Sequence, residues 1–354
     1  MNRQVWGTAR ATAVRPVRHP ALRRPGRTPL ARAAGLVPAV LGEAARLSGL
    51  DGVAGWRPES GTWTSTGTAT FPVGPAGAPA AAVLRLTTTG ADRLRSESRA
   101  LAALASAPAL RGLLPVRHAE GPAAGWWYVL DSHVGGVDAT AALAAAPGLR
   151  PAVLGAATAV ITGLHRATAV PLRVDDVVLD RWVDEPIRRL VRSGSFPLRT
   201  RPAQLDRLRR RLRDGLHGRR VQATRIHGDF WLGNVRVDPG TGAVAGVIDW
   251  DTAGEADLPA HDLLHLALYG AALEQGVDLG AVVAGALVAG TLPPAAEESA
   301  AAGRWAWEGV DDDVVVLLYW LRHVAAMAAQ HRGYAEHTLL GWHLRNVRTV
   351  LRCL

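Results

Sequence analysis

The chain has 354 residues, 48% of them hydrophobic and 20% charged, which is typical of a globular protein with two lobes or domains. Its single cysteine, Cys353, excludes an internal disulfide framework and a cysteine-based zinc site, and it fits a reducing, cytoplasmic location. The apolar runs are all interrupted by charges or turn residues before about 18 positions, so we expect no membrane span.

The net charge of +9 is concentrated at the amino terminus, where residues 1–40 hold eight arginines and no acid. The rest of the chain carries 32 arginines against 31 acids and is nearly neutral, so we predict no nucleic-acid-binding face. Arginine and proline without a sustained apolar stripe bury little surface, and we therefore predict a disordered tail over 1–40. A contact of this tail with an acidic partner or a membrane surface is the alternative.

The next segment, up to residue 136, has strand-like patterning around one helix. Apolar residues predict a strand pair at 71–73 and 80–87, and a helical pattern follows at 94–101. Residues 126–130 read as another apolar strand, which ends before the Gly135-Gly136 break.

The remainder of the chain is predicted to be mainly helical. One of these helices, 202–216, carries a leucine stripe with its arginines largely outside it, and we interpret those arginines as a solvated face. The predicted helices are 139–146, 151–166, 180–192, 202–216, 263–274, 279–289, 313–330 and 338–351.

The strongest chemical signal lies between these helices, in Arg225-Ile-His227-Gly-Asp229-Phe-Trp-Leu-Gly-Asn234 and Gly246-Val-Ile-Asp249-Trp250. Residues 234–238 and 243–248 predict a hairpin around Pro239-Gly-Thr-Gly242, which would return Asp249 to the side of Asn234. An acid that orients a hydroxyl, and an amide and a second acid that offer oxygens to Mg²⁺, suit phosphoryl transfer from Mg-ATP. The alternative is that these are ordinary polar loop residues.

This block resembles the catalytic segment of the aminoglycoside phosphotransferase and choline kinase family, which has a protein-kinase-like fold. The family carries His-Gly-Asp, four residues, Asn, then Ile-Asp-Trp, and later Asp-Leu opening a helix, here Asp262-Leu263. The resemblance implies that Asp229 is the catalytic base and that Asn234 and Asp249 are Mg²⁺ ligands. It also implies that His227 and Asp262 support the catalytic loop.

The resemblance further implies a phosphate-covering loop, a strand cation and a helix acid before residue 134. Gly and hydroxyl residues let backbone N–H groups approach phosphates, so Ser60, Gly61 and Ser65 are predicted to lie in that loop, although a plain surface loop is equally compatible. Arg85 occupies the place where the family usually has lysine, and Glu97 is its predicted partner. Because the chain contains no lysine, the exchange follows its composition. A strand-edge Arg85 without a ligand is the alternative.

The segment 131–134 corresponds to the hinge that binds the adenine edge through its backbone in the resembling family. Asp131 and Val134 are therefore predicted cofactor-binding residues, with Leu130 lining the pocket. Domain bounds follow from these assignments: a tail at 1–40, a nucleotide-binding N-lobe at 41–134, and a catalytic and substrate-binding C-lobe at 135–354.

The acceptor is the least specified part of the prediction. A cationic acceptor such as an aminoglycoside would need several acids gathered on one cleft. The acids considered for it are Asp184, Glu185, Glu255, Asp257, Glu308, Asp311, Asp312 and Asp313. Those just before residue 314 are also expected as a helix cap.

Taken together, the sequence predicts an α+β, kinase-like two-lobe fold with a small β-rich N-lobe and a larger helical C-lobe. We expect an enzyme that uses ATP and Mg²⁺ to phosphorylate a hydroxyl group of a small molecule. A Ser/Thr kinase acting on a peptide, or a nucleotide-binding scaffold without turnover, are the alternatives.

Overall fold

A computed structural model describes residues 29–64, 66–192, 202–330 and 336–354. The strands are short and all their pairings are antiparallel. They are β1 (Arg57–Pro58), β2 (Thr62–Trp63), β3 (Thr68–Gly74), β4 (Ala82–Thr87), β5 (Arg117–Ala123), β6 (Trp126–Ser132), β7 (Val137–Asp138), β8 (Val170–Arg173), β9 (Arg220–Ile226), β10 (Val235–Val237), β11 (Val244–Val247) and β12 (Gly254–Asp257).

The helices lie mostly after residue 138. They are α1 (Pro29–Ser48), α2 (Ala91–Leu104), α3 (Ala139–Ala145), α4 (Arg150–Ala167), α5 (Asp176–Leu179), α6 (Glu185–Arg192), α7 (Pro202–Leu216), α8 (Ala260–Leu264), α9 (Gly270–Gln275), α10 (Leu279–Ala289), α11 (Pro294–Gly303), α12 (Asp312–Gln330), α13 (Glu336–His343) and α14 (Thr349–Leu351).

The N-lobe is one sheet of six strands with the order β1-β3-β4-β6-β5, and β2 pairs with β3. Residues alternate between buried and half-buried positions along β3 and β4, which is the period-2 pattern of a sheet covered on one face. Because β4 lies between β3 and β6, Arg85 is on a central strand and not on an edge. Helix α2 follows β4 and carries Glu97 with 1% exposure.

The start of the chain requires a correction. The predicted disordered tail, 1–40, included residues 29–40, which the structure folds into the first part of α1. Ala33, Val37, Val40 and Leu41 are fully buried and belong to the apolar core of the N-lobe. Small alanines and valines are enough for burial because α1 packs on the N-lobe core, although the segment lacks the sustained apolar stripe on which the prediction depended. Residues 1–28 lie outside the described part of the chain.

The chain leaves the first sheet after Ser132, and Val137 already pairs with β10 of the C-lobe. Two three-stranded sheets flank the C-lobe helices, one ordered β11-β10-β7 and the other β12-β9-β8. The hairpin β10–β11 pairs Val235 with Val247, so the residues just outside these strands, Asn234 and Ile248, are neighbours. The Ile248 N–H donates to the Asn234 carbonyl oxygen at 3.0 Å, so the hydrogen bonds of the hairpin continue up to the residue before Asp249.

The helical core of the C-lobe is built around α4, α7, α8 and α12, whose apolar residues form one buried cluster. The predicted helix 263–274 is longer than expected, and the five residues His265–Tyr269 within it form a π turn between α8 and α9. The predicted helices 202–216 and 279–289 have the observed bounds.

Within the described residues, no single helix is long and apolar enough to cross a membrane. One bent pair, Ala260–Gln275 with Leu279–Ala289 at 111°, meets the same criteria of length and composition. The first member of that pair is largely buried in the C-lobe core.

Candidate active site

The catalytic loop begins where β9 ends, at His227-Gly228-Asp229. Gly228 has φ +84°, and a Cβ at this position would lie 2.2 Å from the Thr252 carbonyl oxygen, so the turn requires glycine. The backbone N–H groups of His227 and Gly228 both donate to the Asp262 carboxylate, at 2.8 and 2.7 Å. Asp262 therefore holds the loop from the start of α8, as the resemblance implied.

Asp262 is fully buried and is also contacted by His165 Nε2 at 3.0 Å. Burial by itself would raise the pKa of Asp262, but the hydrogen bonds from His165 and the Gly228 N–H outweigh it and lower that pKa. His227 Nε2 donates to the Ile248 carbonyl oxygen at 2.9 Å. That bond ties the catalytic loop to the segment that carries Asp249.

Asp229 and Asn234 lie together. The Asn234 side-chain N–H₂ donates to the Asp229 carbonyl oxygen at 2.9 Å, and it lies 3.4 Å from Asp229 Oδ2. The Asp229 side chain is 37% exposed, and its Oδ1 is 2.9 Å from His265 Nε2. Burial tends to raise the pKa of Asp229, but the hydrogen bond from His265 outweighs it and lowers the pKa, so the carboxylate is ionised at neutral pH.

Asp249 adopts φ +66°, an unusual conformation for a residue other than glycine. The next peptide N–H, that of Trp250, lies 3.3 Å from Glu97 Oε1, and the Trp250 ring is fully buried against His227 at a centroid distance of 4.5 Å. These contacts hold the backbone at Asp249 in its strained conformation. Strain usually persists at a functional site only where the surrounding structure fixes it in this way.

Arg85 sits at the centre of a buried network of charges. Its guanidinium contacts Glu97 and also Asp131, the latter at 2.7 Å, and only 16% of its side chain is exposed. Burial lowers the pKa of Arg85, but the charges of Glu97 and Asp131 outweigh it and raise the pKa, so the group stays cationic. The alternative of an exposed strand-edge position for Arg85 is thus not what the structure shows.

The side chain of Asp131 has a role that the sequence did not indicate. The residue was predicted to bind adenine through its backbone, but that backbone pairs with Val83 of β4 and Arg117 of β5. Its carboxylate instead accepts from Arg85 and, at 2.5 Å, from Arg117 Nε, and the residue is 3% exposed. A strand position between two arginines makes Asp131 a charge partner, and because the residue also lines the interlobe cleft, its contact with the nucleotide stays a prediction.

A cleft of about 450 Å³ lies between the two lobes, within the range of about 300–1,000 Å³ that is usual for ligand pockets. Its polar lining includes Arg85, Glu97, Asn234 and Asp249. The apolar lining consists of Pro72, Val83, Leu94, Pro115, Val134 and Ile248. The cleft thus combines charged side chains with apolar surface.

The predicted covering loop is only partly at this cleft. Thr64, Thr66 and Thr68, at the turn between β2 and β3, line it. Ser60 and Gly61 precede β2 and do not line it, and a Cβ on Gly61 would lie 2.3 Å from the Phe71 ring, so this glycine serves close packing. Ser65 lies outside the described residues.

A second carboxylate, Asp251, lines the cleft beside Asp249. Burial raises the pKa of Asp251 to about 7, the charge of Asp249 adds to this, and Arg93 of α2 opposes it through an Nε–Oδ2 contact of 2.6 Å. No hydrogen-bond donor among the described side chains contacts the Asp249 carboxylate. An excess of negative charge with available oxygens fits a divalent cation.

The donor set also fits Mg²⁺ specifically. No group of three or more His, Cys, Asp or Glu side chains that could hold a metal occurs in the described ranges. Mg²⁺ does not require such a cage, because it is usually held by one or two protein oxygens together with substrate phosphates. Asn234 and Asp249, the predicted ligands, both line the cleft.

The chain matches the model of the phosphotransferase enzyme family over residues 69–308, more than half of its length. The chain belongs to this family. It is accordingly a kinase, a phosphotransferase with an alcohol group as acceptor, and the resemblance drawn from the motif is confirmed. No curated protein matches the sequence.

Among solved structures, the two-lobe fold of this phosphotransferase is shared with a streptomycin–ATP complex of APH(2")-IIa. The two chains are 12% identical with a TM-score of 0.55, and the match covers 89% of this chain and 97% of that chain. An aminoglycoside-3'-phosphotransferase of type VIII matches at 19% identity and a TM-score of 0.52, with 80% and 98% covered. APH(3'')-Id from Streptomyces rimosus matches at 22% identity and a TM-score of 0.48, with 82% and 98% covered. The predicted fold class is confirmed.

Several residues at the site of this phosphotransferase were missed from the sequence. The Arg322 guanidinium donates to the Gly228 carbonyl at 2.9 Å and to the Thr252 carbonyl at 3.2 Å, so α12 ties the catalytic loop to the loop after Asp249. The others are Arg93, Arg117, His165, Asp251, His265 and Tyr319. Only Asp251, two residues after Asp249, and His265, three after Asp262, had a positional signal.

The acids considered for a cationic acceptor are mostly paired with arginines. Asp184 accepts from Arg209 and Arg213, and Asp312 accepts from Arg304 at 2.8 Å. Glu185, Glu255, Asp257 and Asp313 likewise lie against Arg188, Arg225, Arg181 and Arg211. The arginines of α7, predicted to form a solvated face, take part in these pairs.

Proposed function

We propose that this phosphotransferase moves the γ-phosphoryl group of ATP to a hydroxyl group of a small molecule, with Asp229 as the catalytic base. The observation that carries the proposal is that Asn234 and Asp249 line an interlobe cleft that also contains Arg85, and that Asn234 contacts Asp229 directly. Asp229 lies beside Asn234, outside the nucleotide cleft, where an acceptor hydroxyl can reach it.

The apolar residues that line the cleft suit a nucleotide base, and the structures of similar fold include complexes with ATP, ADP and GDP. Arg85 would offset negative charge on the phosphates while Glu97 and Asp131 hold its guanidinium in place. Val134 and Ile248 would pack against the base. A cytoplasmic location, where ATP is available, is part of this proposal.

Asn234 and Asp249 would hold Mg²⁺, which neutralises charge on the phosphates when bound. During transfer, the acceptor oxygen forms a bond to the γ-phosphorus, the bond from that phosphorus to the β–γ bridging oxygen breaks, and ADP leaves. The acceptor proton passes to the Asp229 carboxylate and then to solvent. Because the pKa of Asp229 is lowered, this carboxylate is ready to accept a hydrogen bond from the hydroxyl at neutral pH.

Aromatic rings lie near Asp229, beginning with its partner His265, which stacks on Tyr269. Trp231 and Tyr269 pack edge to face at 5.4 Å, and Tyr269 lies 6.0 Å from His323. All three are partly exposed. Together with the pairing of the nearby acids, this favours an acceptor with a flat ring face, such as a sugar, over a polycation.

The test is transfer of label from γ-labelled ATP to a panel of aminoglycosides, macrolides, amino alcohols, sugars and Ser/Thr peptides, with GTP as the competing donor. Asp229→Asn should reduce turnover by about 10²–10⁴-fold while ATP binding is retained. Equal turnover by this variant would remove Asp229 as the base. Labelling of the peptides alone would favour the alternative of a protein kinase. Failure of Mg-ATP to bind would favour the alternative of a scaffold without turnover.

A further inference from the structure

The Asp229 carboxylate is held by a buried chain of two side chains. His265 Nε2 lies 2.9 Å from Asp229 Oδ1, and His265 Nδ1 lies 3.0 Å from the Tyr319 hydroxyl. His265 and Tyr319 are each 2% exposed. His265 comes from the π turn before α9 and Tyr319 from α12, so two separate elements of the C-lobe meet behind the base.

For a neutral His265 ring, the chemistry of the three groups fixes the direction of their hydrogen bonds. An ionised carboxylate only accepts, so His265 must present Nε2–H to Asp229. A neutral imidazole has one N–H, which leaves Nδ1 as an acceptor, and the Tyr319 hydroxyl must donate to it. Burial raises the pKa of Tyr319 well above its ordinary value, so this hydroxyl keeps its proton. The donors therefore point one way, from Tyr319 through His265 to Asp229.

The ring of His265 is also held on its faces. The π turn places His265 and Tyr269 four residues apart on one side of the helix, and their rings stack at 4.9 Å with an interplanar angle of 19°. The His323 ring lies 4.9 Å from that of His265. Insertions of this kind in helices are frequently found at functional sites. The titratable groups that face His265 are thus Asp229, Tyr319, Tyr269 and His323.

We propose that His265 is a positioning residue for the reaction, which binds Asp229 Oδ1 so that Oδ2 faces the acceptor hydroxyl, and that Tyr319 selects the tautomer that does so. The inference rests on the proposed role of Asp229 as base. His265 keeps its single proton throughout the step, and the proton of the acceptor goes to Oδ2. The arrangement resembles the use of a carboxylate to orient a histidine, with the order of the partners reversed.

The first test compares Tyr319→Phe with Tyr128→Phe. Tyr128 is fully buried in the N-lobe core, and its hydroxyl has no hydrogen-bond partner among the described residues, so this control removes a buried hydroxyl far from His265 and Tyr319 in the sequence. Tyr319→Phe should lower kcat by about 10–100-fold, as loss of an orienting outer-shell partner does, and leave the KM for ATP unchanged because neither residue lines the nucleotide cleft.

Tyr319→Phe should also alter the pH profile of kcat, because without the hydroxyl donor nothing selects the His265 tautomer that holds Asp229. Tyr128→Phe should show the wild-type profile. A Tyr319→Phe enzyme with wild-type kcat and profile would overturn the inference.

The second test uses the position of the histidine itself. His265→Gln keeps an amide N–H donor for Asp229, whereas His265→Leu removes it, so the glutamine variant should retain at least tenfold more kcat than the leucine variant. The KM for ATP should be the same in both. Equal losses in the two variants would show that the ring matters only for packing and would overturn the inference.

The third test does not depend on turnover. In protein labelled with ¹⁵N-histidine, ring-nitrogen resonances assigned through His265→Gln should show the neutral Nε2–H form in the wild type. The Nδ1–H form in an active wild type would overturn this inference alone. The Nε2–H form in a protein that transfers phosphate from ATP to no acceptor would contradict the proposed function, and the role of the pair in positioning a base would fall with it.

Discussion

At the residue scale, Arg85 shows how one substitution relative to the family's usual lysine is accommodated. A guanidinium has five donors in a fixed plane, whereas an ammonium is a compact point charge. Here the guanidinium contacts two carboxylates on different elements, Glu97 of α2 and Asp131 of β6. Arg117 contacts the same two acids, so the buried negative charge is shared between two arginines.

Arg85→Lys is therefore expected to impair nucleotide binding even though it restores the family's residue. Arg85 contacts both carboxylates through one nitrogen and keeps its other nitrogens for the phosphates, whereas the single nitrogen of lysine would have to serve all three groups. A loss of about 1.4 kcal/mol in the contact with the phosphates corresponds to a tenfold rise in the KM for ATP. The measurement is steady-state kinetics with varied ATP. Arg46→Lys, at a side chain that is 68% exposed, is the matched control. An unchanged or lower KM for Arg85→Lys would contradict the prediction.

His261 gives a residue-scale prediction for stability. It is buried, and burial together with the charge of Arg322 lowers its pKa to about 3. The unfolded chain binds a proton at this histidine near pH 6.5 and the folded chain does not, so its contribution is present above pH 6.5 and is lost as pH falls toward 3. Between pH 7.5 and pH 5 the loss should be on the order of 2 kcal/mol.

Denaturant unfolding of the wild type and His261→Leu at these two pH values is the measurement. The leucine variant cannot titrate at this site, so its free energy of unfolding should fall by less between pH 7.5 and pH 5. The same decrease in both proteins would show that other groups dominate the acid sensitivity.

At the element scale, the catalytic loop is determined by close approach of backbones. The Gly228 Cα position faces the Thr252 carbonyl oxygen, and Arg322 bridges the two loops. Thr252 also donates through its hydroxyl to the His227 carbonyl oxygen at 3.2 Å. The loop that carries Asp229 and the loop after Asp249 thus behave as one unit, and a change of shape in one is expected to displace the other.

Gly228→Ala and Gly276→Ala form a matched pair that tests this element. Both glycines have positive φ, but a Cβ on Gly276 would meet nothing within 4 Å. Gly276→Ala should cost about 1–2 kcal/mol of unfolding free energy from backbone strain alone. Gly228→Ala should cost more than that and should also reduce kcat, because the loop must shift away from Thr252. Equal costs, with full activity, would show that the close approach is not important.

Some of the elements could be predicted from local sequence patterns, and others could not. Helices 202–216 and 279–289 were predicted with their observed bounds, because a leucine stripe or a continuous apolar run leaves little choice of face. Helix α1 was missed because its burial depends on alanines that can pack on the sheet only after the sheet exists. The π turn at His265–Tyr269 was also missed, since its stability comes from ring contacts and not from local propensity.

At the scale of the whole molecule, the two lobes are connected by polar contacts around the cleft. Arg93 of α2 contacts Asp251 from the segment after β11, and Glu97 lies 3.3 Å from the Trp250 N–H. A ligand that binds both sides of the cleft is expected to stabilise the complete fold and not one lobe only.

The corresponding prediction concerns Mg²⁺ and ATP. At concentrations about 100-fold above Kd, Mg-ATP should stabilise the wild type by about 2.7 kcal/mol, seen as a rise in Tm. In Asp249→Ala the part of this rise that depends on Mg²⁺ should disappear, because a ligand oxygen is lost. ATP with a chelator provides the metal-free reference for both proteins. A Mg²⁺-dependent rise in the variant equal to that of the wild type would rule out Asp249 as a ligand.

The sequence by itself determined the family, the fold class and the polar residues of the catalytic motif. Asp229, Asn234 and Asp249 could be found because they lie within 21 residues of one another and because a hairpin must bring its two ends together. Local spacing and strand geometry are sufficient for such a site, and no distant contact is needed to recognise it.

The tertiary structure decided which groups surround those residues. His265 and Tyr319 are 54 residues apart, Arg85 and Asp131 are 46 apart, and Arg93 and Asp251 are 158 apart. Such pairs leave no periodic trace in the chain, because each member is placed by the packing of its own element. The proposed base and the proposed metal-binding oxygens are therefore encoded locally, whereas their orientation and electrostatics arise only when the lobes and helices have assembled.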